Sequence, residues 1–237
     1  MDATTYQDYV NILHEELVPA MGCTEPIAIA YAAAVARQTL GRPAQRMEVE
    51  ASGNIIKNVK SVFVPNTGGL RGIPAAAAAG MAAGDPALEL EVLSSIGEGE
   101  QAAIRQYLAD TPIAVKLADS PFIFDIAIRA WAGEDSALVR IVNYHTNIVR
   151  VERNGQVLKE VEAQAAAEEG LTDKSVLTVE GILEFAREAA LADVEEAVGR
   201  QVRYNTAIAQ EGLRGDYGAN IGKVLLDAYG RDIRTRA

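Results

Sequence analysis

Two stretches of this sequence are built almost wholly of small apolar residues. Ile27–Ala36 is the longest apolar run, and Pro74–Ala83 is nearly pure alanine interrupted by Gly80. Alanine has the highest helix propensity and carries no side chain long enough to hold a neighbour away. Both stretches therefore predict helices in close contact with whatever packs on them. Aromatic residues make up only 5% of the chain, so small side chains must do much of the packing. The first run is about half of what a membrane crossing needs, so no membrane association is expected.

Between these stretches the pattern changes. Tyr6, Val10, Leu13 and Leu17 recur at helical spacing and predict an amphipathic helix over 4–18. Thr24 reads as the N-cap of a second helix, with Pro26 in its first turn and Gly41-Arg42-Pro43 as its stop. Arg46–Ser52 alternates as a strand, Asn54–Lys60 reads as a short helix and Val62–Val64 as another strand. Residues 97–109 look helical. After Pro112 the period becomes that of strands, over Ile113–Leu117, Ile123–Trp131, Leu138–Tyr144, Ile148–Glu152 and Val157–Val161. Asn154-Gly155 is a strong hairpin signal and 133–136 a looser one. From Thr178, with Glu180 in the first turn, a helix is expected to about Gln210, and Glu168–Ser175 reads as a polar linker. This order predicts an α+β fold: a central antiparallel or mixed sheet, Ala-rich helices, and helical segments at both chain ends.

The 237 residues suffice for one large domain or a domain with an appendage. A net charge of −11 argues against a nucleic-acid coat or a binder of anionic membranes. One cysteine excludes a disulfide within the chain and any all-cysteine metal site made by this chain alone. Met1–Tyr9 is acidic and polar and does not read as a secretory signal, so a cytoplasmic location is expected.

Few residues stand out as carriers of chemistry. Cys23 sits where a helix begins, and the partial positive charge there favours a thiolate that could attack a substrate or ligate a metal. Its plainer reading is a buried small residue. Gly22 permits an unusual backbone, and Thr24 and Glu25 put polar groups beside the sulfur. Ser52-Gly53-Asn54, with Lys57 and Asn58 one turn on, could offer N–H groups, an amide and an ammonium to a carboxylate; an ordinary turn and cap is the alternative. Asn66, Thr67 and Gly68 lie in a glycine-rich loop, Pro65–Gly69, that lacks the ending of a phosphate-binding P-loop. His145, followed by Asn147, ends an apolar strand. It is either a hydrogen-bonded structural residue or a proton carrier near neutral pH.

Taken together, these blocks resemble a known family. Gly22-Cys23-Thr24-Glu25-Pro26 resembles the signature near the start of the iron–sulfur L-cysteine desulfidases, relatives of the iron–sulfur L-serine dehydratases. Ser52–Asn58, Pro65–Gly69 with the Ala-rich helix, and His145-Thr146-Asn147-Ile148 are similar to its next blocks in order. Tyr204-Asn205, Gln210–Leu213 and Gly218–Gly222 resemble the start of its catalytic α-chain-like part. The resemblance implies a β-elimination: L-cysteine to pyruvate, ammonia and sulfide, or L-serine to pyruvate and ammonia. In that family the reaction uses a [4Fe–4S] cluster with one open iron.

By the same resemblance Cys23 is a cluster ligand. Asn54, Lys57, Asn58 and Thr67 line the substrate pocket, with Thr24, Glu25, Ser52, Asn66, Gly68 and Asn147 around them. His145 and Lys57 are both candidate bases. The family's other cluster cysteines lie in a C-terminal half, so no cluster is expected on this chain alone. The expectation is an N-terminal half, one subunit of a split enzyme, or a shortened homologue. It divides into a substrate-side domain, 1–175, and a helical segment, 176–237, that begins the catalytic part. A C-terminal-half partner chain or a homo-oligomer is expected, with helix 74–83 as a candidate apolar contact surface. The alternative is a module that binds a small amino acid without turnover, or an interaction subunit.

Overall fold

A computed structural model of the chain describes residues 1–20, 22–162, 172–230 and 232. In chain order its elements are α1 (Ala3–Glu16), α2 (Thr24–Leu40), β1 (Arg46–Ala51), α3 (Gly53–Val59), α4 (Gly72–Ala83), α5 (Glu98–Asp110), β2 (Ile113–Leu117), β3 (Asp125–Ala132), β4 (Asp135–Val142), β5 (Ile148–Arg153), β6 (Gln156–Glu160), α6 (Val179–Glu188), α7 (Leu191–Arg214) and α8 (Ile221–Tyr229). The fold is α+β. Among the described residues no helix is long and apolar enough to cross a membrane.

The chain forms two compact units. One holds the described residues from Pro19 to Glu162; the other holds Met1–Val18 and the described residues from Thr172 onward. α1 groups with the C-terminal helices. The linker read over Glu168–Ser175 lies partly outside the described residues. Its described part contains Asp173, whose carboxylate caps a short 3₁₀ turn at Lys174–Val176.

The larger unit is a six-stranded sheet in the order β2-β1-β3-β4-β5-β6. β1 and β2 pair in parallel, and the chain between them makes the long crossover such a pair requires. The remaining pairs are antiparallel. Asn154 and Gly155 both take positive φ, as the tight hairpin turn between β5 and β6 requires. Along β3, Ile126, Ile128 and Ala130 join the core while Asp125, Ala127 and Arg129 face the other way, following the two-residue period of a strand.

α2 and α4 pack together beneath this sheet. Ile27, Ile29, the alanines of α2 and Ala75–Ala79 of α4 are buried on nearly every side, as a helix apolar all round must be. Burying each isoleucine contributes about 1.5–3 kcal/mol. The tightest contact is at Gly80, where a Cβ would lie 1.9 Å from the carbonyl oxygen of Ala30. The close packing expected of the alanine stretches is thus present. The expectation that 74–83 offers an apolar contact surface is overturned, because Ala75–Met81 are already covered within the unit.

The smaller unit has a small core of Tyr9, Val10 and Phe185, with both Tyr6 and Tyr9 rings 5.3 Å from that of Phe185. The Thr178 hydroxyl caps α6 by accepting from Gly181 N–H at 3.0 Å, as expected. The single helix read to Gln210 is in fact two. Ala189 N–H closes α6 on the carbonyl of Phe185, and Ala190 N–H leaves the helix to donate to the Tyr6 hydroxyl at 2.9 Å.

Three further readings are corrected. Cys23, not Thr24, is the N-cap of α2, and Thr24 is its first residue. Val62–Val64 forms no strand; Phe63 makes an isolated bridge to Arg71. β4 ends at Val142, so His145 lies in the turn before β5 and not at a strand end.

Candidate functional site

Gly22 takes φ +141°, a conformation suited to glycine, and there the chain turns into α2. The Pro65 ring lies alongside: a Cβ on Gly22 would be 3.6 Å from its Cγ. Beginning α2 at this turn brings three consecutive polar side chains, Cys23, Thr24 and Glu25, to the helix start.

Residues remote in sequence meet them there. The Thr24 hydroxyl is 2.8 Å from Nε2 of His145, across 121 positions of chain. The Cys23 thiol donates to Oε2 of Glu25 at 2.9 Å, and the Asn58 amide of α3 donates to Oε1 of the same carboxylate at 3.4 Å. The structure thus unites Cys23, Thr24, Glu25, Asn58 and His145. Phe124, which sequence reasoning missed, packs edge-on against the imidazole at 4.6 Å between centroids and fixes the ring. Nothing in the local pattern near Phe124 foretold that contact.

The charges follow from these contacts. Loss of water around the sulfur, reinforced by the bond to Glu25, pushes the Cys23 thiol up. This corrects the expectation of a thiolate: Cys23 is exposed, yet its sulfur is held protonated as a donor. The Glu25 carboxyl is lowered, first by the thiol it accepts from, with help from Asn58 and His145. Burial lowers His145, with Glu25 opposing weakly. His145 is therefore a neutral imidazole at neutral pH, with Nε2 joined to a hydroxyl.

The other sequence candidates are differently placed. The Ser52 hydroxyl donates to the carbonyl of Ile123 at 2.5 Å, and buried Thr67 donates to that of Val64 at 2.8 Å. The Asn66 amide donates to the Leu93 carbonyl, and that of Asn147 to the Val142 carbonyl. The Gly68 carbonyl accepts from Arg105, whose guanidinium fills the space where a side chain would stand. These groups shape the loops and are spent on the backbone. Asn54 and Lys57 are exposed on α3, and Lys57 makes no hydrogen bond or ion pair among the described residues.

The residues present do not fit a cubane cluster within this chain. It has one thiol, and among the described residues no three of His, Cys, Asp and Glu are grouped to hold a metal. An open cleft of about 420 Å³ lies elsewhere, on the sheet face turned away from the core. Arg140 reaches buried Asp125 through two bonds, at 3.0 and 2.5 Å, and Arg150 pairs with Glu152 and Glu160. These arginines already have partners, so the cleft is a lattice of compensated ion pairs. Sequence alternation places these charges on one face, but their pairing depends on strand register and was not legible.

Comparisons with known proteins agree on the extent of likeness and give no activity. No family model matches the chain, and no solved structure does. The chain is 51% identical to a UPF0597 protein of Desulfitobacterium hafniense over 98% of its own length and 54% of that protein's. It is 45% identical to a UPF0597 protein of Lachnoclostridium phytofermentans, over 98% of the chain and 55% of the relative. A third, from Treponema denticola, is 41% identical over 95% and 53%. The chain spans about half the length of the curated relatives it matches, and the name they carry states no reaction.

Proposed function

We propose that this chain is the substrate-side part of a lyase that eliminates the β-substituent of a small amino acid, L-cysteine or L-serine. The observation that carries this reading is the meeting of Thr24 and His145 at 2.8 Å beside Glu25 and Asn58. These are the residues of separate sequence blocks that the family resemblance singles out. In the proposed reaction His145 takes the α-proton, the freed electron pair forms a Cα–Cβ double bond, and the Cβ–S or Cβ–O bond breaks, its pair leaving on sulfur as hydrosulfide or on oxygen, which takes the proton from His145 and departs as water. The resulting aminoacrylate tautomerises, and water releases ammonia and pyruvate. A neutral, half-buried imidazole suits the base better than exposed Lys57. Toward a [4Fe–4S] cluster this chain would supply Cys23 alone.

The test is pyruvate formation, without oxygen, from L-cysteine and L-serine by the chain co-expressed with the half of the Desulfitobacterium hafniense protein that it does not match. Pyruvate should form, and His145→Gln should lower kcat by about 10²-fold or more, the usual worth of a general base. Lack of pyruvate from both substrates would count against the lyase. The single thiol favours a second reading, an amino-acid-binding module without turnover, which predicts binding but no pyruvate.

A further inference from the structure

Outside its small core, the smaller unit leaves apolar side chains of α7 and α8 exposed. α8 buries none of its residues, and α7, over 24 residues, buries only Ala197. Yet α8 is patterned for burial: Ile221, Val224, Leu225 and Ala228 recur at i, i+3, i+4 and i+7, the stripe of a helix that packs against something. Ile221 is 66% exposed, Val224 59%, and Ile208 on α7 69%. Leu213 of α7 lies over Gly222 of α8, where a Cβ would be 3.6 Å from it, so the two helices present adjoining surface. A nine-residue helix gains too little from its own hydrogen bonds to persist in water. Apolar patches of this kind mark interaction sites.

We infer that the apolar stripe of α8 with the adjoining face of α7 is the docking surface for a polypeptide equivalent to the half of the longer relatives that this chain does not match. The lengths of the relatives point to that occupant. The relatives are 41–51% identical over nearly all of this chain, yet the match covers only 53–54% of the Treponema denticola and Desulfitobacterium hafniense proteins. The inference deepens the half-enzyme reading by naming the contact surface, and it stands on exposure and relative length, not on the chemistry of Cys23 and His145.

The test co-expresses the whole chain with the unmatched half of the Desulfitobacterium hafniense relative and measures co-purification, affinity and hydrogen exchange. The expected result is a soluble one-to-one complex in which amides of 191–229 exchange at least tenfold more slowly than in the chain alone. The double substitution Val224→Glu/Leu225→Glu should weaken association roughly tenfold or more, the scale of losing central apolar anchors. A Glu195→Gln control should leave it unchanged. Failure of the partner half to co-purify, whether it is soluble or insoluble, would overturn the inference. So would equal retention by the Val224/Leu225 variant. Concentration-dependent dimers of the chain alone, broken by the same variant, would assign the surface to a second copy and overturn the named occupant. None of these readouts depends on turnover, so the lyase reading can fail while this one holds, and the reverse.

Discussion

Thr24 and His145 show how one bond can organise a site. The imidazole is half-buried against Phe124 and has a hydroxyl partner, so its protonated form gains little and loses hydration. Its folded pKa is lowered, which means the unfolded chain binds a proton more readily. The stability due to the neutral ring is fully present above the ordinary histidine value of about 6.5. It is lost as pH falls through the lower folded value. Denaturant unfolding as a function of pH should therefore show stability falling below about pH 6.5, with a contribution of at most ~1.4 kcal/mol per pH unit from this one group. His145→Gln should flatten that part of the profile, while carboxylates continue to act at lower pH. An unchanged profile would mean the ring is not held neutral by its surroundings. Cys23 and Glu25 were legible as polar neighbours. The direction of the thiol's shift was not, because it depends on which way the side chains turn and on how much water the sulfur keeps.

Among the elements, α2 and α4 were the most legible, because alanine leaves few choices: a helix of alanines is stable only where a close neighbour covers it. Gly80 is where that closeness is greatest. Gly80→Ala would drive a methyl group into the Ala30 carbonyl, a backbone atom that cannot turn aside. The helix-propensity gain of about 1 kcal/mol should be outweighed by overpacking of about 1–3 kcal/mol or more, giving net destabilisation. Thermal unfolding should show the midpoint falling by about 2–4 °C per kcal/mol lost for a chain of this size. A rise in the midpoint would mean that α2 and α4 are not packed as described. The break between α6 and α7 was not legible. The Ala189-Ala190 dipeptide carries no helix-stopping residue, and the hydroxyl that draws Ala190 out of the helix belongs to Tyr6. The parallel pairing of β1 with β2 was hidden for a like reason, since strand order is decided by the crossover and not by either strand's composition.

Across the whole molecule, the sequence blocks held most of the candidates but did not say which of them meet. Ser52, Asn66, Thr67 and Asn147 occur in the same blocks as Thr24 and His145, yet they are bonded to backbone carbonyls and hold loops. Only the fold distinguishes the two groups, by carrying the start of α2, one face of α3 and the turn before β5 to one place. The grouping of α1 with the C-terminal helices was equally beyond sequence reasoning, because it rests on Tyr6 and Tyr9 packing on Phe185. The central claim is that Thr24, Glu25, Asn58 and His145 form a binding site for a small amino acid. The measurement that tests it most directly is calorimetric titration of the chain with L-serine and L-cysteine, beside Asn58→Ala and Thr24→Val. Saturable binding, weakened roughly tenfold by either substitution as expected for the loss of a hydrogen bond to a charged ligand, is the predicted result. An absence of heat with both amino acids, or binding that neither substitution alters, would contradict it.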